Sequence, residues 1–359
     1  MTVNHGANLY DLSNELGFDK KELLDFSSNI NPLGSSIKAK NAVIDNIDSV
    51  SIYPDPSYSK LKKSISSYCK CLADNIILGS GATELISSFI KIVNPKKAVL
   101  VSPSYSEYEK ELNKIECNVT KYFALEKNDF IINPVEFVNF INNDNYKLVI
   151  ICNPNNPTGF TFSKNNIKYI LENTNAFVMV DETYIEFTDR ETYSSTTLVD
   201  EFEKLFVIRG TSKFFGTPGI RLGYGLISNK SIKKSLSKSL DLWNINIFAS
   251  LMGEVMFEDI DFIESSSSIL NAQRNYLHNE LNSIKDLKIY NTQGNFILCK
   301  IDSKKFTAKE LREYLMKYKI IIRDCSSFEG LNEYFFRVCI LSPTANKLLI
   351  EKLKDKFSY

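Results

Sequence analysis

Four short segments of the chain carry side chains whose types and spacing could do chemistry. They read Gly79-Ser-Gly-Ala-Thr-Glu84, Asn153-Pro-Asn-Asn-Pro-Thr-Gly159, Val180-Asp-Glu-Thr-Tyr-Ile-Glu-Phe187 and, from Arg209 to Tyr224, RGTSKFFGTPGIRLGY. Each segment continues from a short apolar run that predicts a buried strand. Because open α/β sheets bind ligands at the carboxyl ends of their strands, we expect the four segments to meet at one edge of a sheet.

The two segments that come first along the chain predict turns that could bind or orient a ligand. In Gly79–Glu84, glycines allow a tight turn into a helix, and the first N–H groups of that helix would suit a phosphate. A glycine turn into a helix is more often structural, so this segment is weak evidence by itself. Asn153–Gly159 could be a plain turn rich in Asn, Pro and Gly, but so specific a string favours a functional loop.

Asp181 and Lys213 are the charged candidates for catalysis. Asp181 lies at the exit of a strand, where a carboxylate needs a cationic or N–H partner; the alternative is a helix or turn cap. Lys213 lies between small hydroxyl residues and a pair of Phe residues. Partly apolar surroundings lower the pKa of a Lys, which makes its amine a nucleophile; the alternative is a solvated surface Lys. The neighbours Ser212 and Arg221 favour the functional interpretation.

Together these residues fit one ligand. The glycine turn offers donors to a phosphate, the carboxylate offers a partner to a ring nitrogen, and the Lys offers an amine to an aldehyde. Pyridoxal 5′-phosphate carries all three groups, so we expect it as the cofactor. Arginine is scarce, since seven of the 43 Lys and Arg residues are Arg and 36 are Lys. Each Arg is therefore a candidate for binding a carboxylate or phosphate, which suit a rigid, two-pronged donor.

The elements that must position these residues alternate between strand and helix. Strands are predicted at residues 76–78, 98–102, 148–152, 177–181, 205–209 and 224–228, with helices over 84–92 and 107–115. Several of these strands are continuous apolar runs, which is typical of strands covered by helices on both faces. Later in the chain the pattern predicts a helical stretch over 248–284, strands at 287–290, 295–301, 319–323 and 336–340, and a helix over 308–318.

This order of elements predicts an α/β protein with two domains. A large domain, residues 46–245, would contain a mostly parallel central sheet and bind the cofactor. A smaller α+β domain would combine residues 1–45, which lack a strand ladder of their own, with residues 246–359.

Composition and charge exclude several classes of function. The 43 acidic residues balance the 43 basic ones, and no basic stripe stands out, so no nucleic-acid partner is expected. The first ten residues do not read as a signal peptide, and no apolar run approaches the ~18 residues of a membrane span. We therefore expect a cytoplasmic protein without a membrane partner. The seven cysteines are scattered and only two His occur, which argues against a disulfide framework and against a metal site.

The order of the four motifs resembles the fold-type-I aminotransferase superfamily, class I and II, over essentially the whole chain. Within it, Tyr53-Pro-Asp-Pro56 is similar to two branches, the threonine-phosphate decarboxylases and the histidinol-phosphate aminotransferases. Other segments look closer to the decarboxylases: His5-Gly-Ala-Asn8, Leu24-Asp-Phe-Ser-Ser-Asn-Ile-Asn-Pro-Leu-Gly34, Ile322-Arg-Asp-Cys325, Glu329-Gly-Leu331 and Tyr334-Phe-Phe-Arg-Val338.

The resemblance implies roles for the residues that would bind the cofactor. Lys213 would bind its aldehyde, and Asp181 would pair with the pyridine nitrogen and keep it protonated. Tyr184 and Asn156 would hydrogen-bond the phenolic oxygen. The cofactor phosphate would be bound by Gly81, Ala82, Thr83, Ser212 and Arg221.

Tyrosines would complete this cofactor site. Tyr108 would stack on the ring, with Tyr105 as the less favoured alternative. Tyr53 would reach the cofactor phosphate of a neighbouring subunit, so the resemblance implies a homodimer.

The substrate would meet residues from both ends of the chain. Arg337 would bind an α-carboxylate, and Asn156 would also face the substrate. Arg323 and His5, with Asn31, would bind a substrate phosphate. Four of the seven Arg residues thus lie in or beside the motifs: Arg209, Arg221, Arg323 and Arg337.

The activity implied by the resemblance is decarboxylation of O-phospho-L-threonine, a phosphorylated amino acid, to (R)-1-aminopropan-2-yl phosphate and CO2 for cobalamin biosynthesis. The alternative is an aminotransferase, such as one acting on histidinol phosphate. A third hypothesis is a cofactor-binding regulator without catalysis. Such regulators usually carry an attached DNA-binding helical module, and we expect no room for one in 359 residues. Two departures weaken parts of the resemblance. Relatives commonly carry Ser or Thr where this chain has Gly210, and Ala7 replaces a glycine of the decarboxylases.

Overall fold

The computed structural model describes residues 9–358. Its strands are β1 (Leu24–Asp25), β2 (Ile76–Gly79), β3 (Lys97–Ser102), β4 (Asn118–Phe123), β5 (Leu148–Cys152), β6 (Phe177–Asp181), β7 (Leu205–Gly210), β8 (Gly223–Leu226), β9 (Leu287–Ile289), β10 (Phe296–Ile301), β11 (Ile320–Ile321), β12 (Arg323–Asp324) and β13 (Phe335–Cys339). Its α-helices are α1 (Leu9–Leu16), α2 (Ile37–Ile44), α3 (Ser59–Cys69), α4 (Ala82–Val93), α5 (Glu107–Asn113), α6 (Pro134–Asn142), α7 (Lys164–Glu172), α8 (Arg190–Tyr193), α9 (Lys230–Ser239), α10 (Ile247–Met256), α11 (Ile260–Asn282), α12 (Ala308–Met316) and α13 (Pro343–Phe357). Among the residues so described, no helix is both long enough and apolar enough to cross a membrane.

The central sheet has seven strands in the order β2-β8-β7-β6-β5-β3-β4. Its strands from β7 to β4 pair in parallel, whereas β8 runs antiparallel to both β7 and β2. Every residue of β5, which reads LVIIC, is buried, as expected for a parallel strand covered on both faces. Since β2 runs in the same direction as β7, all four motif segments lie at or near one edge of this sheet, the edge formed by the carboxyl ends of the parallel strands.

Alternate residues of the central strands pack into two apolar clusters, one on each face of the sheet. In β7, Leu205 and Val207 belong to one cluster, and Phe206 and Ile208 belong to the other. This alternation is the period of two that a strand imposes, and it decides which face of the sheet Arg209 can reach.

The C-terminal part of the chain forms a four-stranded antiparallel sheet in the order β12-β13-β10-β9. The N-terminal strand β1 pairs in parallel with β11, with Leu24 opposite Ile320. Farther along, Asn31 N donates to Lys213 O at 2.9 Å. The segment that follows β1 is therefore drawn to the end of β7. The domain boundaries at residues 45 and 245 stay a prediction.

The helical stretch predicted over residues 248–284 is two helices, α10 and α11. Asp259, which lies between them, leaves the helical conformation with a ψ of 76°. Its carboxylate accepts a hydrogen bond from Ser36 Oγ and lies 2.9 Å from Lys38 Nζ. These contacts with the start of α2 turn the chain, and the apolar periodicity of the sequence carries no signal of them.

The strand prediction missed β1 and β4 and merged β11 with β12. No strand was predicted at residues 118–123, where β4 forms an edge of the central sheet. None of its residues is fully buried, so the continuous apolar run that marks the inner strands is absent from its sequence NVTKYF. The strand predicted at 319–323 is two short strands, β11 and β12, which join different sheets.

Candidate active site

A cavity of about 360 Å³ lies at the carboxyl ends of β5, β6 and β7. Eleven of the residues predicted from the sequence line it: Ala82, Thr83, Tyr108, Asn156, Asp181, Tyr184, Ser212, Lys213, Arg221, Arg323 and Arg337. The cavity also includes Ser27 and Ser28, which follow β1, and Phe328, which lies between β12 and β13. Residues far apart in the sequence are thus brought together as the strand-end rule predicts.

One end of the cavity is the turn into α4. Gly81 precedes the helix with a φ of 84°, and a Cβ atom added there would collide with the guanidinium of Arg221. Within the described residues, no side chain of the N-cap position satisfies the first N–H groups of α4. Free helix N–H groups beside a guanidinium form a site for an anion such as a phosphate.

Gly210 lies beside this turn, and space does not require a glycine there. A Cβ atom at Gly210 would lie 3.6 Å from the Cβ of Ala82, which is ordinary van der Waals contact. A hydroxyl-bearing residue could therefore occupy position 210, and the turn has one donor fewer than it has room for.

Asp181 lies at the floor of the cavity and is 4% exposed. Its Oδ1 accepts from Thr183 N and Thr183 Oγ1, at 2.9 and 2.6 Å, and its Oδ2 accepts from the Tyr108 hydroxyl at 2.7 Å. Burial raises the pKa of this carboxyl, and the hydrogen bonds oppose that rise only in part. Because a carboxylate offers about four acceptor positions, Oδ2 can still accept from a protonated ring nitrogen, which would favour the ionised form.

The aromatic side of the cavity contains Tyr105 and Tyr108, whose rings meet edge to face with centroids 5.6 Å apart. Tyr108 is 1% exposed, and its hydroxyl is held by Asp181. Which of the two rings stacks on a bound ligand stays a prediction.

Lys213 is the amine of the cavity. Its Nζ donates to Ser28 O at 2.7 Å. Burial and the positive charge of Arg337 lower the pKa of Lys213 to about 8. A Lys with this pKa is uncharged in an appreciable fraction of molecules near neutral pH, as a nucleophilic amine must be.

The acceptor Ser28 O and its neighbour Asn29 are contributions that sequence analysis missed. Asn29 Nδ2 donates to the Tyr184 hydroxyl at 3.4 Å, and its φ of 57° is one that Asn tolerates better than most residues. The string Ser-Ser-Asn-Ile-Asn was noted for resemblance, but a backbone carbonyl leaves no signature in a sequence. Only the fold shows that this string touches Lys213 and Tyr184.

Arg337 and Arg323 bring two further guanidinium groups to the cavity. Arg337 is 4% exposed and donates to Asn156 Oδ1 and, at 2.6 Å, to Ser27 O. Its Nε has no hydrogen-bond partner among the residues that the structure describes. Arg323 is half-buried and donates to Ser327 Oγ at 2.9 Å. Neither forms an ion pair with any carboxylate in residues 9–358. Two unpaired cations in one cavity point to a ligand with two anionic groups.

Three expected residues, Asn31, Gly81 and Tyr53, do not line the cavity. Asn31 does not line the cavity: its Nδ2 donates to Phe214 O and Ser266 Oγ, at 2.8 and 3.1 Å, and its Oδ1 accepts from Leu33 N. This amide ties the N-terminal segment to the fold, and its proposed contact with a substrate phosphate has no support in this geometry. Gly81 shapes the turn without lining the cavity. Tyr53 is 75% exposed and stacks on Trp243, and His5 lies outside the described residues.

Arg209 begins the fourth motif, but it does not line the cavity. It is 1% exposed and faces away from the cavity, because strand β7 alternates its side chains between the two faces. Its Nη2 lies 2.8 Å from Glu182, and its Nη1 lies 3.5 Å from Glu186. Its charge is balanced inside the fold.

Residues 21–353 match the family described as aminotransferase class I and II. The chain belongs to this family. Its members depend on pyridoxal 5′-phosphate, so the family, the fold and the cofactor predicted from the motifs are confirmed. The cavity fits the cofactor, because it combines an anion site at α4, a buried carboxylate and an amine of lowered pKa.

Relatives of two kinds resemble the chain. A Caldanaerobacter subterraneus protein, provisionally named threonine-phosphate decarboxylase, is 39% identical over 98% of this chain and 94% of that one. The crystal structure of the histidinol-phosphate aminotransferase from Clostridium acetobutylicum is 34% identical, with a TM-score of 0.87, over 94% of this chain and 99% of that one. The chain also spans 41% of the adenosylcobalamin biosynthesis bifunctional protein CobDQ of Leptospira interrogans, at 33% identity over 98% of its own length.

Proposed function

We propose that the chain decarboxylates O-phospho-L-threonine to (R)-1-aminopropan-2-yl phosphate and CO2, a reaction that serves cobalamin biosynthesis. The observation that carries the proposal is the set of three guanidiniums around the cavity, those of Arg221, Arg323 and Arg337. One belongs to the anion site at α4 and serves the cofactor phosphate. Two remain for the carboxylate and the phosphate of the substrate.

Each group of the cofactor would contact different residues of the cavity. Lys213 would bind the aldehyde, Asp181 would accept from the ring nitrogen, and Tyr184 and Asn156 would hydrogen-bond the phenolic oxygen. The phosphate is bound by Ala82, Thr83, Ser212, Arg221 and the turn at Gly81. When bound, pyridoxal phosphate withdraws electrons from the substrate bond that lies perpendicular to its ring.

Arg337 is the residue that selects this bond. Its guanidinium is fixed by Asn156 and Ser27 O and lies over the face of Phe296, with the centroid 5.2 Å away. Arg337 would bind the substrate carboxylate, and Arg323 would bind the phosphate at the other end of the substrate. With both ends bound, the substrate could not rotate about its Cα–N bond. The Cα–carboxylate bond would then break and CO2 would leave without the bonding electron pair. Lys213 Nζ would deliver to Cα the proton that takes up this pair.

Transamination is the second candidate, and the relative from Clostridium acetobutylicum supports it. Histidinol phosphate has no α-carboxylate, so Arg337 would have no anion to bind in that half of the reaction. In transamination, Arg337 would bind a carboxylate only in the other half of the reaction, in which glutamate and 2-oxoglutarate exchange the amino group. In decarboxylation, the guanidiniums of Arg323 and Arg337 would both bind the same substrate. We favour decarboxylation for this reason.

The two candidates predict different products. Incubation with O-phospho-L-threonine and no keto acid should release CO2 and accumulate (R)-1-aminopropan-2-yl phosphate, as mass spectrometry would show. Formation of glutamate from histidinol phosphate and 2-oxoglutarate, with no CO2 from phosphothreonine, would establish the second candidate.

The proposal includes a homodimer. Apolar side chains that are each more than half exposed follow one another along residues 37–53: Ile37, Ile44, Ile47, Val50, Ile52 and Tyr53. The ring of Tyr53 stacks on the half-exposed Trp243, with centroids 4.4 Å apart. An apolar surface of this extent is typical of an interface, and a second copy that covers it would receive Tyr53 beside its own cavity.

This interface can be tested by charge substitution. The double variant Ile47→Glu/Val50→Glu should sediment as a monomer and lose cofactor more readily, because a buried carboxylate at the interface is costly. Ile131→Glu is a matched control, since Ile131 is also more than half exposed but lies in a different part of the fold. A wild-type protein that sediments as a fully active monomer would contradict the proposal.

A further inference from the structure

Phe328 lines the cavity from a short loop, residues 325–331, between β12 and β13, which we name the Phe328 loop. It is folded on itself, because Phe328 N donates to Cys325 O and Leu331 N donates to Phe328 O, both at 3.0 Å. The Phe328 ring is half-buried and lines the cavity. Nothing in the chemistry of the cofactor requires an aromatic ring at this place.

The loop holds Arg323 from two directions. Ser327 Oγ accepts from Nη2 at 2.9 Å, and the guanidinium lies over the Phe328 ring, 5.4 Å from its centroid. A guanidinium this close to an aromatic face is attracted by the electrons of the ring. Ser327 takes one of the five N–H donors of Arg323, and no other side chain within residues 9–358 accepts from the rest, which leaves them for an anion.

Arg323 needs such support. Burial lowers the pKa of Arg323, and the nearby charge of Arg337 acts in the same direction. Both effects disfavour a charged guanidinium inside the cavity while no anion is bound. With no ion pair to hold it in the described structure, Arg323 would gain by turning toward water if the ring beneath it were removed.

The Phe328 loop is itself fastened to the central sheet. Lys121, on the edge strand β4, forms an ion pair with Glu329 of the loop and, at 2.8 Å, with Glu109 of α5. Gly330, with a φ of 92°, lies so close to Phe123 that a Cβ atom there would be 2.9 Å from the ring. The loop therefore bridges both sheets, and the ring is presented on a supported wall, which reduces the ordering cost of binding.

We propose that Phe328 is a positioning residue that holds the Arg323 guanidinium over the cavity, so that the Phe328 loop selects ligands carrying a phosphate. The proposal rests on the proposed function, because it takes Arg323 as the residue that binds the second anion of the substrate. A ligand without that anion gains nothing from the alignment of Arg323. The ring should therefore matter for selectivity and not for binding in general.

The test measures binding and not turnover. Dissociation constants of O-phospho-L-threonine and of L-threonine are taken from the initial absorbance change when each is rapidly mixed with the holoenzyme. Their ratio is the selectivity for phosphate. Phe328→Ala should reduce this ratio on the order of tenfold, from the size of a partly buried cation–π contact, while L-threonine binds as before.

Three variants make the result specific. Phe328→Tyr keeps the ring and should restore the ratio. Phe202→Ala should leave it unchanged, since Phe202 also lies beneath a cation, Lys168 at 6.0 Å, but outside the cavity. Arg323→Ala should reduce the ratio at least as much as Phe328→Ala does.

Each outcome has one meaning. Equal weakening of both ligands in Phe328→Ala would make the ring merely structural and overturn the proposal. An unchanged ratio in Phe328→Ala, with a reduced ratio in Arg323→Ala, would overturn it while leaving the proposed function intact. An unchanged ratio in Arg323→Ala would show that Arg323 does not bind the substrate phosphate. The role of Arg323 in the proposed function would then be wrong as well.

Discussion

Arg337→Ala should cost the enzyme its hold on the substrate carboxylate without affecting ligands that lack one. Arg337 is 4% exposed, and its contacts with Asn156 and Ser27 O occupy two of five N–H donors, leaving Nε and two others for a carboxylate. Truncating one partner of a buried, hydrogen-bonded charge pair costs about 2–5 kcal/mol. At about 1.4 kcal/mol per factor of ten, even the lower half of that range reduces kcat/KM roughly 30- to 300-fold.

The product provides the matched control for this prediction. (R)-1-Aminopropan-2-yl phosphate has the amine and the phosphate of the substrate but no carboxylate. Its dissociation constant should change less than about threefold in Arg337→Ala, whereas kcat/KM for O-phospho-L-threonine falls. Arg337→Lys should give an intermediate loss, since an ammonium retains the charge but not the fork. If Arg337→Ala weakens the binding of product and of substrate equally, Arg337 stabilises the segment at Ser27 and does not bind the substrate carboxylate.

Three further predictions concern the cofactor. Lys213→Ala should abolish turnover yet retain some pyridoxal phosphate through the anion site at α4; borohydride should label the Lys213 peptide of the wild-type protein, and a label on another lysine would refute the assignment. Because the pKa of Lys213 is lowered to about 8, its amine is mostly protonated at lower pH and mostly neutral at higher pH. Attachment of cofactor to the apoenzyme should therefore accelerate about tenfold from pH 7 to pH 9, and a rate independent of pH in this range would contradict that pKa. Gly210→Ser should fit, because its Cβ meets only Ala82 at 3.6 Å, and should slow cofactor loss during dialysis by adding a hydroxyl beside the phosphate. A faster loss would show that position 210 does not face the phosphate.

The residues at the strand ends could be predicted because two physical rules agree on them. Continuous apolar runs mark strands buried on both faces, and the polar residue that ends each run must emerge at the ligand-binding edge. Asp181 and Lys213 follow from those rules together with the chemistry of their own side chains. The structure places both at one cavity, as expected.

Side-chain type alone is a poor guide to function, because the direction in which a side chain points decides what it can contact. Arg209 is next to Gly210 in sequence, but the alternation of β7 turns it toward Glu182. Asn31 has the right chemistry for a phosphate, yet its amide is already bonded to Phe214 O and Ser266 Oγ. The direction of the Arg209 side chain could have been inferred, because side chains alternate between the two faces of a strand. Asn31 lies in a loop, where side chains follow no such alternation.

The omissions arose where a contact depends on the backbone or on long-range packing. Ser28 contributes a carbonyl oxygen to Lys213, which no side-chain pattern can reveal. Phe328 lines the cavity from a loop that an ion pair between Lys121 and Glu329 joins to a strand some two hundred residues earlier. Contacts of this kind are decided by the assembled fold.

The central claim, decarboxylation at a site built for two substrate anions, is tested most directly by counting product per active site in the absence of a keto acid. O-Phospho-L-threonine is mixed in large excess with holoenzyme, and released CO2 is measured together with the absorption spectrum of the cofactor. We predict many CO2 molecules per site, with the cofactor remaining in its aldehyde form. Release of no CO2, with the cofactor converted once to its amine form and turnover resuming only when 2-oxoglutarate is added, would contradict the account.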